Sequence, residues 1–240
     1  WQSERNTTAL AVGVLHRNHL LVEELHDALE GLDAIASVIA GHADARGIAI
    51  DAPLVITNES GQRACERALG RRYGRMKASC HASNLGLYPD AASSRLADML
   101  SAAGYEHLGA PSRGKWQIEC YPHPAIIELF GLPERLLYKK GSVGEKRAGQ
   151  VQLARYLQAL GSSQVIPLRL GSSLAAVVDE ATILARRGKA LKRNEDALDA
   201  IICTYIGALY ARGAPCHCFG SAADGYIYVP AQPCLPAENR

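Results

Sequence analysis

Residues 47–54 read GIAIDAPL, a short apolar run that ends on an acid and is followed by a proline. A compact apolar run of this length, bounded by turn residues, is typical of a buried strand. Asp51 stands at its carboxyl end, which is where open α/β sheets place their ligand crevice. The stretch therefore predicts a sheet that delivers one carboxylate to a functional edge, although an Asp before Pro53 also serves as an ordinary turn or capping residue.

The segments on either side of this strand complete an α/β pattern. Residues 8–15 and 18–25 predict an antiparallel hairpin, and residues 116–121 (WQIECY) predict a second buried strand that carries Glu119. Apolar spacing and end signals predict the remaining elements as helices over 31–43, 61–72, 93–103, 145–160, 173–188 and 194–211, and as a last strand over 226–229. We expect a single domain over residues 1–240, in which the helical portion 125–190 forms an insertion.

The composition is that of a globular protein. Its 240 residues include 48% hydrophobic and 21% charged side chains, which excludes a disordered chain. No apolar run approaches the roughly 18–20 residues that a membrane span needs, so we expect no membrane partner. Seven cysteines without regular spacing favour reduced thiols and a cytoplasmic protein over a disulfide framework.

Three acidic positions suit a metal site. Besides Asp51, Glu119 interrupts an apolar strand, where a charge is costly unless it is paired or bound to a metal. Asp196 and Asp199 are three residues apart on a predicted helix and share a face. Converging carboxylates repel each other unless divalent cations neutralise them, and two such ions about 3.5–4 Å apart promote phosphoryl transfer. Glu119 is also compatible with a solvent-facing strand position, and Asp196 with an ordinary acid in the first turn of a helix.

Several segments, in order along the chain, resemble one family. They are IAIDAPL (48–54), GQRACERALG (61–70), IECYPHPAIIELFG (118–131), LYKKG (137–141), EDALDAIICTYIGALYARG (195–213) and DGYIYVP (224–230). Together they resemble the microbial family catalogued as domain of unknown function 429, whose members are called predicted RNase H-like nucleases. The resemblance covers most of the chain from about residue 47 to 230.

The resemblance implies an RNase H-like fold, in which a mixed five-stranded sheet of order 3-2-1-4-5 is flanked by helices on both faces. It implies a catalytic set of Asp51 after the fourth strand, Glu119 on the fifth, and Asp196 with Asp199 on the late helix. Asp51, Glu119 and Asp199 are the expected ligands of Mg²⁺ or Mn²⁺. Such folds carry a first catalytic Asp on the central strand, and residues 1–11 contain no acid except Glu4. We therefore expect that strand and its Asp to lie upstream of residue 1.

The formal charge of +2 conceals three basic clusters, which hold 13 of the 26 Lys and Arg residues. Basic side chains beside a metal–carboxylate site suit phosphate contacts, which position a nucleic-acid backbone without reading its sequence. Each cluster is also compatible with a solvated helix face. The candidate nucleic-acid contacts are Arg71, Arg72, Arg75, Lys77, Lys139, Arg147, Lys192 and Arg193.

The sequence thus predicts a metal-dependent phosphodiesterase, a nuclease that acts on DNA or RNA. It contains no Gly-rich phosphate loop, nucleophile elbow or HExxH motif, which excludes P-loop NTPases, serine hydrolases and common zinc proteases. A zinc site from Cys216, His217, Cys218 and Cys234 is disfavoured, because the spacing matches no familiar knuckle. Two alternatives stay open: a small-molecule phosphotransferase on the same core, and a non-catalytic RNase H-fold protein that binds nucleic acid or a regulatory partner.

Overall fold

Eight strands and eight α-helices occur in residues 7–235, the part of the chain that the computed structural model describes. The strands are β1 (Thr7–Leu15), β2 (Leu20–Glu30), β3 (Gly47–Ile50), β4 (Tyr105–His107), β5 (Lys115–Glu119), β6 (Leu168–Leu170), β7 (Cys216–Ser221) and β8 (Gly225–Pro230). The helices are α1 (Gly31–Gly41), α2 (Ala64–Tyr73), α3 (Ala92–Ala102), α4 (Pro122–Phe130), α5 (Val143–Ala159), α6 (Ala175–Val178), α7 (Glu180–Ala185) and α8 (Gly188–Ala211). The predicted mixed α/β class is confirmed.

The strands form three small sheets of order β1–β2–β6, β3–β5–β4 and β7–β8. The predicted hairpin is confirmed, since β1 and β2 pair antiparallel and Leu15 lies opposite Leu20. Strands β3 and β5 are parallel, with Ile50 beside Glu119, so the acid that follows β3 and the acid that ends β5 reach the same edge. An isolated bridge between Cys120 and Tyr228 ties β8 to the end of β5.

The expectation of one five-stranded sheet is wrong for the described residues. The sheets have three, three and two strands: β2 pairs with β1 and β6, β5 pairs with β3 and β4, and β7 pairs with β8. The order 3-2-1-4-5 needs a central strand between β1 and β3, and no strand of residues 7–235 lies there. Within residues 7–235, β1 and β3 are edge strands of two separate sheets.

Helix α8 packs against β1 and β3. Thr204 donates a hydrogen bond to the carbonyl oxygen of Ala11 in β1 (3.3 Å). One turn later, Gly207 approaches β3 so closely that a Cβ there would lie 3.4 Å from that of Ala49. The helix begins at Gly188, six residues before the predicted start, because the basic segment 189–193 continues the helical turn. One helix therefore packs on strands of two different sheets.

The helical portion 125–190 shares its core with the rest of the chain. Ile126 of α4 and Leu153 of α5 belong to the same buried apolar cluster as Leu20 of β2 and Ile118 of β5. The helix predicted over 173–188 divides into α6 and α7, since the Asp179 carboxylate caps a new helix start. No helix of residues 7–235 is both long enough and apolar enough to cross a membrane.

Candidate active site

Two of the predicted carboxylates meet on one lysine. Asp51 follows β3, and Asp199 lies in the first half of α8. The Nζ of Lys139, in the segment between α4 and α5, lies 2.7 Å from Oδ2 of Asp199 and 3.4 Å from Oδ2 of Asp51. The Lys139 side chain is 21% exposed, so this charged group is accessible from one side. Asp51 and Asp199 therefore meet at the carboxyl end of β3.

Tyr138 fixes the orientation of Asp199. Its buried hydroxyl donates a hydrogen bond to Oδ1 of Asp199 (2.6 Å), which leaves Oδ2 for Lys139. The backbone that carries Tyr138 lies directly against α5, where a Cβ on Gly149 would overlap the carbonyl oxygen of Leu137. Glycine at position 149 is thus required for the segment to reach Asp199.

The electrostatics of this group favour a charged lysine. Burial opposes the ammonium, but the carboxylates of Asp199 and Asp51 hold the pKa of Lys139 well above its usual value. Burial raises the pKa of Asp51 to about 6, an effect that Lys139 opposes and Asp199 reinforces. Burial, and then the nearby Asp199 carboxylate, raises the pKa of Tyr138, so its hydroxyl stays a neutral donor. One cation therefore contacts both acids, and the three side chains carry one net negative charge when both acids are ionised.

His123 lies beside Tyr138 and Lys139, and the sequence pattern did not predict it as a neighbour of the site. Its ring contacts those of Tyr121 and Tyr138, with centroids 5.7 and 5.3 Å apart. Burial, followed by the charge of Lys139, lowers its pKa to about 3. Its buried Nδ1 has no hydrogen-bond partner among the described residues. The imidazole is thus neutral. The sequence signal that could have identified His123 was its place in ECYPHPA, part of a segment that resembles the family.

Glu119 does not join Asp51 and Asp199. Its two oxygens accept hydrogen bonds from Nη1 and Nη2 of Arg63 at 2.9 and 2.5 Å, and Oε2 also accepts one from the backbone N–H of Leu54. Both side chains are almost fully buried. Burial raises the pKa of Glu119, which the Arg63 guanidinium opposes. A metal ion would have to break a buried ion pair to use this carboxylate, so the arrangement favours a structural role.

Asp196 lies one turn before Asp199 and has its own partner. The ammonium of Lys192 lies 2.6 Å from Asp196 and 2.7 Å from Glu195. Burial raises the pKa of both acids, and Lys192 opposes this shift. This second acidic group on α8 is therefore also compensated by a lysine, and Lys192 is occupied within the protein.

Several other predicted nucleic-acid contacts also have protein partners. Arg72 and Lys77 each form an ion pair with a glutamate, at 3.4 and 2.5 Å. Arg147 donates two hydrogen bonds, of 2.9 and 2.7 Å, to the carbonyl oxygen of Arg186, and so joins α5 to the end of α7. Of the predicted set, the structure places Lys139 against Asp51 and Asp199. The exposed members are Arg71, Arg75 and Arg193, along with the paired Arg72, Lys77 and Lys192.

The donor set fits a divalent cation only in part. Within residues 7–235, no three side chains of His, Cys, Asp or Glu are grouped so as to hold a metal ion, and this includes the cysteines of β7. Asp51 and Asp199 alone provide two carboxylates, and the Lys139 ammonium lies where their charges meet. Mg²⁺ commonly binds through one or two carboxylates together with water and substrate phosphates. These two acids therefore suit such an ion, whereas Glu119 does not. Glu4 lies outside the described residues.

Comparison with other proteins places the chain in a family without a described activity. No curated protein and no solved structure matches it. The model of one family matches residues 5–224, which include every residue of the group around Lys139. The chain belongs to the family described as protein of unknown function (DUF429).

Proposed function

We propose that this protein is a metal-dependent phosphodiesterase that cleaves nucleic acid on an RNase H-like core. The observation that carries the proposal is the meeting of Asp51 and Asp199 on one cationic group at the carboxyl end of β3. Paired acids beside an accessible lysine suit a substrate with phosphate groups, because the acids hold a divalent cation while the lysine contacts phosphate oxygens.

Each residue of the group has a defined task in this reaction. Asp51 and Asp199 would hold Mg²⁺ or Mn²⁺, which supplies an activated water and neutralises charge on the phosphoryl group. Tyr138 keeps Asp199 in a single orientation through its 2.6 Å hydrogen bond. Lys139 balances the two acids and, because one side of it is exposed, contacts the phosphate that enters.

Cleavage assays with isosteric variants test the proposal. The full chain is incubated with Mg²⁺ or Mn²⁺ and labelled single-stranded, duplex, hybrid and branched substrates, alongside Asp51→Asn and Asp199→Asn. We expect both variants to lower the rate by roughly 100-fold or more, because they remove charge that stabilises the transition state. Asp90→Asn is the matched control, since this acid is 74% exposed and lies at a surface pair with Arg95.

Two results would contradict the nuclease. One is the absence of metal-dependent cleavage of every substrate by a folded chain, and the other is an Asp51→Asn variant that cleaves at the wild-type rate. Thermal denaturation of each variant shows whether a lost rate reflects a lost fold. Hydrolysis of ATP without cleavage would favour a phosphotransferase.

A non-catalytic binding protein is the second candidate, and one observation favours it. Lys139 already forms an ion pair with both Asp51 and Asp199, so each carboxylate has a cationic partner without a metal ion. A protein of this kind would bind nucleic acid with strong salt dependence and leave it intact. Binding measured by fluorescence anisotropy at several salt concentrations, with no cleavage, would favour this candidate.

A further inference from the structure

A polar cavity, open to solvent, lies at the C-terminal end of α8. It has a volume of about 540 Å³ and is formed by the β1–β2 turn, the segment before β6 and the chain that follows α8. Its polar lining includes Arg17, Asn18, Gln164, Arg212 and Gln232. Arg212 is 13 residues beyond Asp199, which corresponds to about 20 Å along a helix axis. The cavity is therefore separate from the candidate active site.

The charge around this cavity has one sign. No Asp or Glu is among the residues that line it. Neither Arg17 nor Arg212 forms an ion pair with a carboxylate of residues 7–235. Two arginines without a carboxylate partner thus line one cavity in a chain whose formal net charge is +2.

The fold holds one of these guanidinium groups in position. Nη2 of Arg212 donates to the carbonyl oxygens of His16 and Arg17, at 2.5 and 2.7 Å. These two bonds use the hydrogens of Nη2, so Nε–H and the Nη1 hydrogens are left to face a ligand. The dipole of α8 favours a cation at its C-terminus, which accounts for Arg212. It does not account for Arg17, which projects from the turn between β1 and β2.

We propose that this cavity binds the phosphate group of a phosphate ester. Guanidinium groups bind phosphate through two parallel N–H···O bonds, and the side-chain amides of Asn18, Gln164 and Gln232 can donate to the remaining oxygens. The volume falls in the range of small-molecule sites, so the ester can carry a group of nucleotide size. The ester is either a free mononucleotide or one phosphate of a polynucleotide. The proposal does not rest on catalysis at Asp51.

Binding of defined probes to the full chain tests the site. Titration calorimetry is carried out with inorganic phosphate, AMP and adenosine, and anisotropy with a labelled 12-nucleotide strand. Arg17→Gln is the main variant, because no described hydrogen bond of the fold depends on its side chain; Arg212→Gln is the second. Arg95→Gln is the control, since it removes the same charge from a side chain that is 59% exposed on α3.

We expect AMP and inorganic phosphate to bind and adenosine to fail. Arg17→Gln should weaken AMP binding about tenfold or more, as expected for one lost charge-assisted contact, while Arg95→Gln leaves it unchanged. If only the 12-nucleotide strand loses affinity in Arg17→Gln, the phosphate group belongs to a polynucleotide. The proposal is overturned if adenosine binds as tightly as AMP, or if Arg17→Gln binds every probe as the wild type does.

Discussion

Replacement of Glu119 by glutamine tests whether this carboxylate stabilises the fold or holds a metal ion. Glutamine keeps the size of the side chain and removes its charge. In the structure Glu119 accepts two hydrogen bonds from Arg63 and one from the backbone N–H of Leu54. The side chains of Arg63 and Glu119 are only 2% and 4% exposed. The substitution therefore leaves a buried guanidinium without its bidentate partner.

The expected loss of unfolding free energy depends on the contacts that Arg63 keeps in the variant. Removing one member of a buried ion pair costs about 3–5 kcal/mol, because the other charge stays buried. Arg63 keeps a second carboxylate, since its Nε donates to Glu66 at 2.9 Å, and Nη1 keeps the carbonyl oxygen of Val55. We therefore expect the lower end of that range, about 3 kcal/mol, from Glu119→Gln.

Urea denaturation followed by circular dichroism measures this loss. With a slope of about 3 kcal/mol per molar urea, a loss of 3 kcal/mol moves the midpoint down by about 1 M. Glu180→Gln is the matched control. It also breaks an Arg–Glu pair, at 2.7 Å from Arg155, but these side chains are 56% and 50% exposed. An exposed pair contributes about 0–1 kcal/mol, so the control should barely move the midpoint.

A midpoint for Glu119→Gln that matches the wild type would refute the buried-pair argument. If the same variant also bound Mg²⁺ more weakly while its stability stayed unchanged, Glu119 would be the ligand that the sequence predicted. A loss near 3 kcal/mol, with unchanged Mg²⁺ binding, assigns the residue to the fold.

Three further substitutions probe the surroundings of Asp199. His123 has a pKa near 3 in the folded chain against 6.5 in the unfolded chain, so the unfolded chain binds a proton more readily. The free energy of unfolding is therefore highest above pH 6.5 and falls as the pH drops below that value. The wild type should therefore lose about 2 kcal/mol more than His123→Phe between pH 7 and pH 5, as measured by urea denaturation at both values. Lys139→Met leaves two acids facing each other and should cost about 2–3 kcal/mol, less than a fully buried pair because Lys139 is 21% exposed. MgCl₂ should raise the melting temperature of this variant more than that of the wild type, with NaCl of equal ionic strength as the control. Gly149→Ala should cost about 3 kcal/mol or more because its Cβ overlaps the Leu137 carbonyl. Gly144→Ala on the same helix should leave the midpoint unchanged or raise it, because its Cβ would meet only the Ser142 Oγ, at 4.0 Å.

The positions of Asp51 and Asp199 could be anticipated because each depends on local pattern. An acid at the end of a short apolar strand lies at a sheet edge in most α/β arrangements, and an acid past the first turn of an amphipathic helix faces its neighbours. That these two acids share one lysine depends on how the segment between α4 and α5 crosses α8. No spacing along the chain encodes this crossing; the LYKKG resemblance was the only signal for Lys139.

The role of Glu119 shows what pattern alone cannot determine. A buried acid in an apolar strand must be paired or bound to a metal, and the sequence does not distinguish the two. The deciding partner, Arg63, is 56 residues away and reaches Glu119 only because α2 begins beside the end of β5. The clue was an arginine at a helix start three residues before Glu66, the spacing of a local ion pair that holds the guanidinium in place. The single five-stranded sheet was wrong for residues 7–235, whose strands form three separate sheets.

Lys139 links the two proposed uses of this edge. Its ammonium satisfies Asp51 and Asp199 while nothing else is bound, so a divalent cation has to compete with it for the same oxygens. A phosphate group that approaches from the exposed side offers Lys139 a second partner of the same charge as the acids. Any such shift of Lys139 towards phosphate frees carboxylate oxygens for the cation. By linkage, bound phosphate then raises the affinity for the cation by the same factor by which the bound cation raises the affinity for phosphate. Calorimetric titration with Mg²⁺, in the presence and absence of a non-cleavable phosphorothioate strand, should therefore show tighter binding with the strand for the wild type. For Lys139→Met the two titrations should be nearly equal, because the competing ammonium is gone.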